Sequence, residues 1–291
     1  VDVSPEDAQT QWKTALDGRA SLDSITRFAL LDQGDRVRLL SETVGGDPGS
    51  SWWLQGTRDS FSAGLQTLAQ DRLTPENQWW VRWLMGRWPR GHAVVGHPCQ
   101  GSETLTLGLV APLVPTRMAL SEGPLPLSID AVTHFKAVHA ATEAPGLVGC
   151  RLEVRDQDLV SLAARWEVDR AALARVAEIW GLSEVVSEVA GPIIEGLSEG
   201  LKRAPTLTVE APYTPDPGPE LVLELGPVSA RSTLGLAGAL FGAEASEVLT
   251  GLARDLSAPR FFRVRVSLGA QGATSLSAMA ALPSQATRLA W

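Results

Sequence analysis

Arginines recur at even spacings in extended-looking runs. Arg36 and Arg38 are two apart, Arg263 and Arg265 are two apart, and Arg151 and Arg155 are four apart. On a β-strand an even spacing puts both side chains on one face. A guanidinium offers a planar fork of donors that fits phosphate or carboxylate oxygens. Arginine faces brought together would therefore hold an anion. The competing reading is solvated strand surface, or pairing with Glu42, Glu153, Glu210, Glu220 and Glu224. Burial separates the two, because guanidiniums taken out of water need a partner or a ligand.

Other groups carry less chemistry. His92 and His97 flank a strand beside Cys99, but on a strand they point to opposite faces, and no third ligand has metal-binding spacing. No metal is expected. His134 and His139 are five apart on a predicted helix and do not form a four-apart pair. Trp79, Trp80, Trp83 and Trp88 read as helix packing, with a partner surface as the second reading. No phosphate loop, nucleophile elbow or zinc-protease helix motif is present. The glycine-rich run Gly235 to Glu244 lies inside a helical pattern and suits close helix packing.

Composition narrows the class. The 291 residues are 44% hydrophobic and 20% charged, which suits a folded chain with a substantial core. A formal charge of -8 disfavours nucleic acid as a partner. Lysine occurs only at positions 13, 136 and 202, so arginine supplies nearly all the positive charge. Cys99 and Cys150 read as free thiols in a reducing compartment. No run is long and apolar enough to span a membrane, and a cytoplasmic location is the default expectation.

The arginines sit on hairpins. In Arg260 to Pro283, Phe262, Val264, Val266 and Leu268 point one way and Arg263, Arg265 and Ser267 the other, with a reversal at GAQG. Similar pairs are read at Ser24 to Gly46 around DQGD, at Pro89 to Pro112, and at Ala204 to Pro227. Their centres are Gly34, Gly101, Pro217 and Gly272. A fifth, around Cys150, has an alternating strand from Gly146 to Asp158, whose partner is either PLPLSI or missing. Helices are expected at residues 1–20, 57–70, after Thr74 through Trp88, and at 129–141. Two more span 159–201, with Asp169 as a helix cap and a break near Gly191 and Pro192, and 229–256. The chain then divides into a helical lead-in at 1–23, a body at 24–283 and a tail at 284–291.

Helix-plus-hairpin units recur at intervals of about fifty to sixty-five residues, the mark of an internally repeated architecture. Hairpins with one leucine- and valine-rich face need a helical coat on that face; the other faces solvent or a lumen. The fold class is α+β. Five hairpins make a ten-stranded antiparallel barrel ringed by helices, with open antiparallel sheets covered by helices as the alternative.

This order of elements resembles the ABBA aromatic prenyltransferases, whose αββα units build such a barrel. The resemblance covers roughly residues 24–283 and rests on element order. It implies transfer of a prenyl group from a prenyl diphosphate co-substrate to a small aromatic or indole-containing acceptor in the lumen, in secondary metabolism. Arg36, Arg38, Arg151, Arg263 and Arg265 would hold the diphosphate, and Tyr213 would be a further substrate-binding residue. Glu42, on an early strand, would accept the proton. No cofactor is implied, and Mg²⁺ dependence stays open. The chain departs from the pattern in having one tyrosine and three lysines. Tryptophan must then replace tyrosine, and arginine lysine. The alternative is a non-catalytic αββα scaffold or protein-interaction domain, with a protein partner or a homo-oligomer.

Overall fold

The computed structural model describes residues 5–32, 36–57, 61, 74–75, 78, 92–100, 105–114, 129–144, 147–155, 158–199, 206–212, 221–282 and 285. Twelve strands occur among them: β1 (Val37–Val44), β2 (Gly49–Thr57), β3 (His92–Pro98), β4 (Leu105–Val114), β5 (Leu147–Arg155), β6 (Asp158–Glu167), β7 (Thr206–Pro212), β8 (Leu221–Gly226), β9 (Val228–Ser229), β10 (Arg260–Phe261), β11 (Arg263–Gly269) and β12 (Gly272–Ala281). Strands β9 and β10 form a two-stranded ribbon. The other ten close into a barrel in the order β1-β12-β11-β8-β7-β6-β5-β4-β3-β2, and every neighbouring pair is antiparallel. The ten-stranded barrel expected from the sequence is therefore the fold, and the open-sheet alternative falls.

Period-two alternation decides which side chains face outward. Leu40, Leu54, Val209, Leu223, Leu225, Val264, Val266, Leu268 and Leu276 all point at the helical coat and are buried. They meet Trp12 and Leu16 from the helix Pro5–Asp17, Phe28 and Leu31 from Leu22–Leu31, Leu173 and Val176 from Arg170–Trp180, and Leu249 and Leu252 from Ala243–Asp255. Each such side chain withdrawn from water contributes about 1.5–3 kcal/mol. The main core thus lies between barrel and helices, which leaves the barrel interior free to be polar.

Four sequence expectations need correction. The first hairpin is not Ser24 to Gly46 around Gly34. Leu22–Leu31 is a helix: the Ser21 hydroxyl caps it by accepting from the Ser24 amide, and Phe28 and Leu31 bury one face. The hairpin is β1–β2, and it turns at Gly45 to Pro48. Gly45 and Gly46 have φ of 73° and 48°, the left-handed conformations that a tight reversal needs. Second, residues 158–167 are strand, not the start of a long helix. They pair with β5 on one side and β7 on the other, so β5 does have a hairpin partner. Its apolar run fits both periods, and the pairing partners settle which one wins. Third, the helix that follows starts only at Arg170, where the expected cap Asp169 does accept from the Ala172 amide at 2.7 Å. It ends at Gly181 (φ 66°); the chain is helical again from Ser183 and passes through a π turn at Val186–Ala190 into Gly191–Ser198, which carries Pro192. Fourth, Gly242 (φ 89°) divides residues 230–255 into two helices. All of the segment PLPLSI but Ile129, most of the expected helix at 57–70, and Trp79, Trp80, Trp83 and Trp88 lie outside the described residues.

Candidate functional site

The inward face of the barrel is graded from apolar to ionic to hydroxylic. At one end Val37 and Leu39 of β1, Met279 and Ala281 of β12, and Phe262 form an apolar floor against which Trp53 packs. Phe262 is in this cluster because the chain bends between β10 and β11. It does not share the outward face of Val264, as strict alternation predicts. Above the floor stand the charged residues. Beyond them Ser41, Thr43, Ser267, Ser275 and Ser277 line a cavity of about 790 Å³, together with Trp53, Thr106, Arg151, Glu153 and Arg265. That volume accommodates a drug-sized ligand.

Strand register explains why the charges meet. Arg265 of β11 is the register partner of Glu224 on β8, and Arg165 of β6 is the partner of Glu210 on β7. Arg263 lies one inward position below Arg265 on β11, and Arg151 faces the same space from β5. Glu224 pairs with Arg165, with Arg263 at 3.3 Å and with Arg265 at 3.9 Å. The Oε1 of Glu210 accepts from Arg151 at 2.6 Å and from Arg265 at 2.8 Å. Arg151 also reaches Glu153 at 3.4 Å. The described cluster therefore holds four guanidiniums and three carboxylates.

These environments shift the groups in the directions electrostatics requires. Burial pushes the Glu210 carboxyl up, but the charges of Arg151, Arg265 and Arg165 outweigh it and hold it at about 2. Burial likewise opposes ionisation of Glu224, and Arg165, Arg263 and Arg265 pull that carboxyl below its usual range. Burial, with the like charges of Arg165 and Arg265, takes the Arg263 guanidinium down to about 10 in spite of Glu224. Both glutamates are thus held ionised, and neither is suited to take up a proton.

The structure assembles some of the sequence candidates and separates others. Arg151, Arg263 and Arg265 converge inside the barrel. They also carry the glutamate partners of the competing reading, so both readings apply to the same side chains. Arg38 is on the outward face of β1, in register with Leu54, and donates to Asp32 at 3.0 and 3.2 Å. Arg36 precedes β1 and lies over the Phe61 ring at 4.1 Å, where burial lowers its pKa against the pull of Asp32. Neither joins the cluster. Glu42 also faces the helices: β1 alternates, and Ser41 and Thr43 take the inward positions. Its carboxylate accepts from Arg19 at 2.5 Å and from the Ser50 hydroxyl at 2.6 Å. The expected proton acceptor is therefore on the wrong side of the wall. Tyr213 lies outside the described residues, and the side chain of Arg155 is not described.

Sequence reasoning missed Trp53 and Arg165 as interior residues of the site, and had Glu210 and Glu224 only as pairing partners in the competing reading. Trp53 reaches the cavity because its neighbour across the ladder is Gly96: a Cβ there would lie 2.2 Å from the indole. The indole N–H donates to Ser41 at 2.8 Å, which fixes the ring against the lumen wall. The clue was the alternation in SSWWLQGT once the turn is placed at Gly45. Trp52, the next residue, points the other way, donates to Ser24 and stacks on His97 at 5.5 Å. His97 takes an Arg27 N–H on Nε2 at 2.7 Å and so carries its own proton on Nδ1, which donates to Pro98 O. It has no basic nitrogen to spare for Ser24. Cys99 is buried and free, and burial raises its thiol to about 12, so it is inert as a nucleophile. Among the described residues, no group of three or more His, Cys, Asp or Glu is placed to hold a metal, and no helix is long and apolar enough to cross a membrane.

No protein family matches the sequence, and no curated protein matches it. Solved structures do match the fold. A 6-dimethylallyltryptophan synthase from Micromonospora olivasterospora, solved with DMASPP and Trp, superposes with a TM-score of 0.63 at 12% identity and covers 98% of both chains. The prenyltransferase PriB, in a ternary complex with L-tryptophan and dimethylallyl thiolodiphosphate, gives 0.62 at 12% identity over 96% of each chain. NotF prenyltransferase gives 0.59 at 14% identity, over 95% of this chain and 93% of its own. The chain has the barrel fold of the ABBA-type prenyltransferases over essentially its whole length.

Proposed function

We propose that the protein binds a prenyl diphosphate in the barrel and transfers its prenyl group to a small aromatic or indole-containing acceptor. The observation that carries this reading is the inward convergence of Arg151, Arg165, Arg263 and Arg265 beside a cavity that also presents an indole face. The guanidiniums stabilise the charge that develops on departing diphosphate. The Trp53 face shields the allylic cation. The aromatic acceptor attacks it, and the σ-complex loses a proton to restore aromaticity. Glu153 is the acidic side chain of the barrel wall that lines the cavity, and it takes the proton role the sequence gave to Glu42. The neighbours solved with tryptophan and dimethylallyl analogues support this choice of substrates. Neither a cofactor nor a metal ion enters the proposal.

The test is titration of dimethylallyl and geranyl diphosphate, followed by assay of prenyl transfer to tryptophan and simple indoles. Saturable binding that Arg265→Gln weakens, together with a prenylated product, supports the reading. No binding at millimolar concentration overturns it. A second reading, a non-catalytic barrel, is favoured by one observation: Glu210 and Glu224 already pair with the arginines, so most of the lumen charge is balanced without a ligand. It is distinguished by the absence of both binding and transfer.

A further inference from the structure

Two of the arginines at the cavity, Arg151 and Arg265, come from strands on different sides of the barrel and meet on one oxygen, Glu210 Oε1, at 2.6 and 2.8 Å. Glu210 itself is 3% exposed. It stands behind the guanidiniums and is not part of the cavity lining, whereas both arginines are. The Nε of Arg151 is buried and makes no hydrogen bond, so that guanidinium keeps an unused donor even with two carboxylates beside it. An oxyanion entering the cavity would meet arginines whose charge is largely spent on an internal carboxylate, and it would be repelled by that carboxylate.

We propose that Glu210 is a resident counter-anion, and that an external oxyanion binds this barrel by displacing its carboxylate from Arg151 and Arg265. The inference rests on the reading of the lumen as a phosphate or diphosphate site, and it adds how that site is masked when empty. The internal carboxylate offsets part of the charge of two largely buried guanidiniums in the free protein, which would otherwise be costly. It also sets a threshold on affinity, since a ligand must supply more than one charge-assisted contact to compete. A doubly anchored phosphate or diphosphate meets that demand, whereas chloride does not.

The experiment is calorimetric titration of inorganic diphosphate into the wild-type protein, Glu210→Gln and Glu210→Gln/Arg265→Gln. Glu210→Gln is expected to bind at least about tenfold more tightly than wild type, as removal of one like charge near a bound anion in a site of effective dielectric about 20 requires. The double variant is expected to lose that gain. A folded Glu210→Gln protein that binds no more tightly overturns the proposal. Should that variant fail to fold, a crystal structure of the wild type with inorganic diphosphate decides. Separation of Glu210 from Arg265 beyond about 4 Å supports displacement; diphosphate bound with both contacts intact, or no diphosphate in the lumen, overturns it. Prenyl transfer by the wild type with unchanged affinity in Glu210→Gln removes this inference alone. Tighter binding in Glu210→Gln without transfer to any aromatic acceptor removes the catalytic reading alone.

Discussion

At the scale of residues, the barrel interior is a set of charges placed by register. Glu210 makes the sharpest prediction. Its carboxyl is held at about 2 by three arginines, below the ordinary carboxylate value of 4.5. A depressed acid stabilises the fold above the unfolded pKa, and that contribution is lost as pH falls through the folded one. Acid titration followed by near-ultraviolet circular dichroism should therefore show a loss of order between about pH 4.5 and pH 2. In Glu210→Gln that component of the transition should disappear. Gly96 offers a second test. Any side chain there collides with the Trp53 indole, so Gly96→Ala should cost about 1–3 kcal/mol. The same change should shift Trp53 fluorescence in a Trp53-dependent manner. The residue scale is also where the sequence was least legible. Arginine spacing identified Arg263 and Arg265 as one face, but their glutamate partners come from β7 and β8, some forty to fifty-five positions earlier, and only closure of the barrel brings them together.

At the scale of elements, two contacts fasten helices to the barrel. Arg19 follows the first helix, donates to Glu42 on β1 and to Asp255 at the end of the helix Ala243–Asp255, and also sits at the cavity mouth. Arg19→Met should destabilise the protein by about 1–3 kcal/mol, because it leaves the Glu42 carboxylate buried with the Ser50 hydroxyl but no charge partner. Denaturant melts compared with wild type measure this. On the other side, Trp166 of β6 donates its indole N–H to Nδ1 of His139, on the helix Ile129–Thr142, at 3.1 Å. That nitrogen must be unprotonated to accept, and burial already lowers the pKa of His139. The sign follows: the unfolded chain takes up the proton first. This contribution is full above the unfolded value near 6.5 and falls away as pH drops below it. His139→Gln should flatten stability against pH over that window, as thermal melts between pH 7.5 and 5 would show. Element order was mostly legible, because alternation and capping are local. The exceptions have a physical cause. In residues 22–31 the helical spacing of Ser24, Phe28 and Leu31 competed with a turn-like DQGD, and in residues 158–167 an apolar run fitted both periods until its neighbours were known.

At the scale of the whole molecule, a helical coat buries outward side chains described on eight of the ten barrel strands and leaves the interior to carry charge. The sequence made this architecture legible through repetition: helix and hairpin recur along the chain, and five hairpins are enough to close a barrel. The content of the barrel was not legible, since inward and solvent-facing polar residues alternate identically along a strand. The central claim is that the interior receives a prenyl diphosphate on its arginines. A crystal structure of the protein with dimethylallyl thiolodiphosphate tests it most directly. The account predicts diphosphate oxygens inside the barrel within hydrogen-bonding distance of Arg151 and Arg265, with the prenyl tail against Trp53. A lumen left empty at millimolar ligand, with the arginines still closed on Glu210 and Glu224, would contradict it.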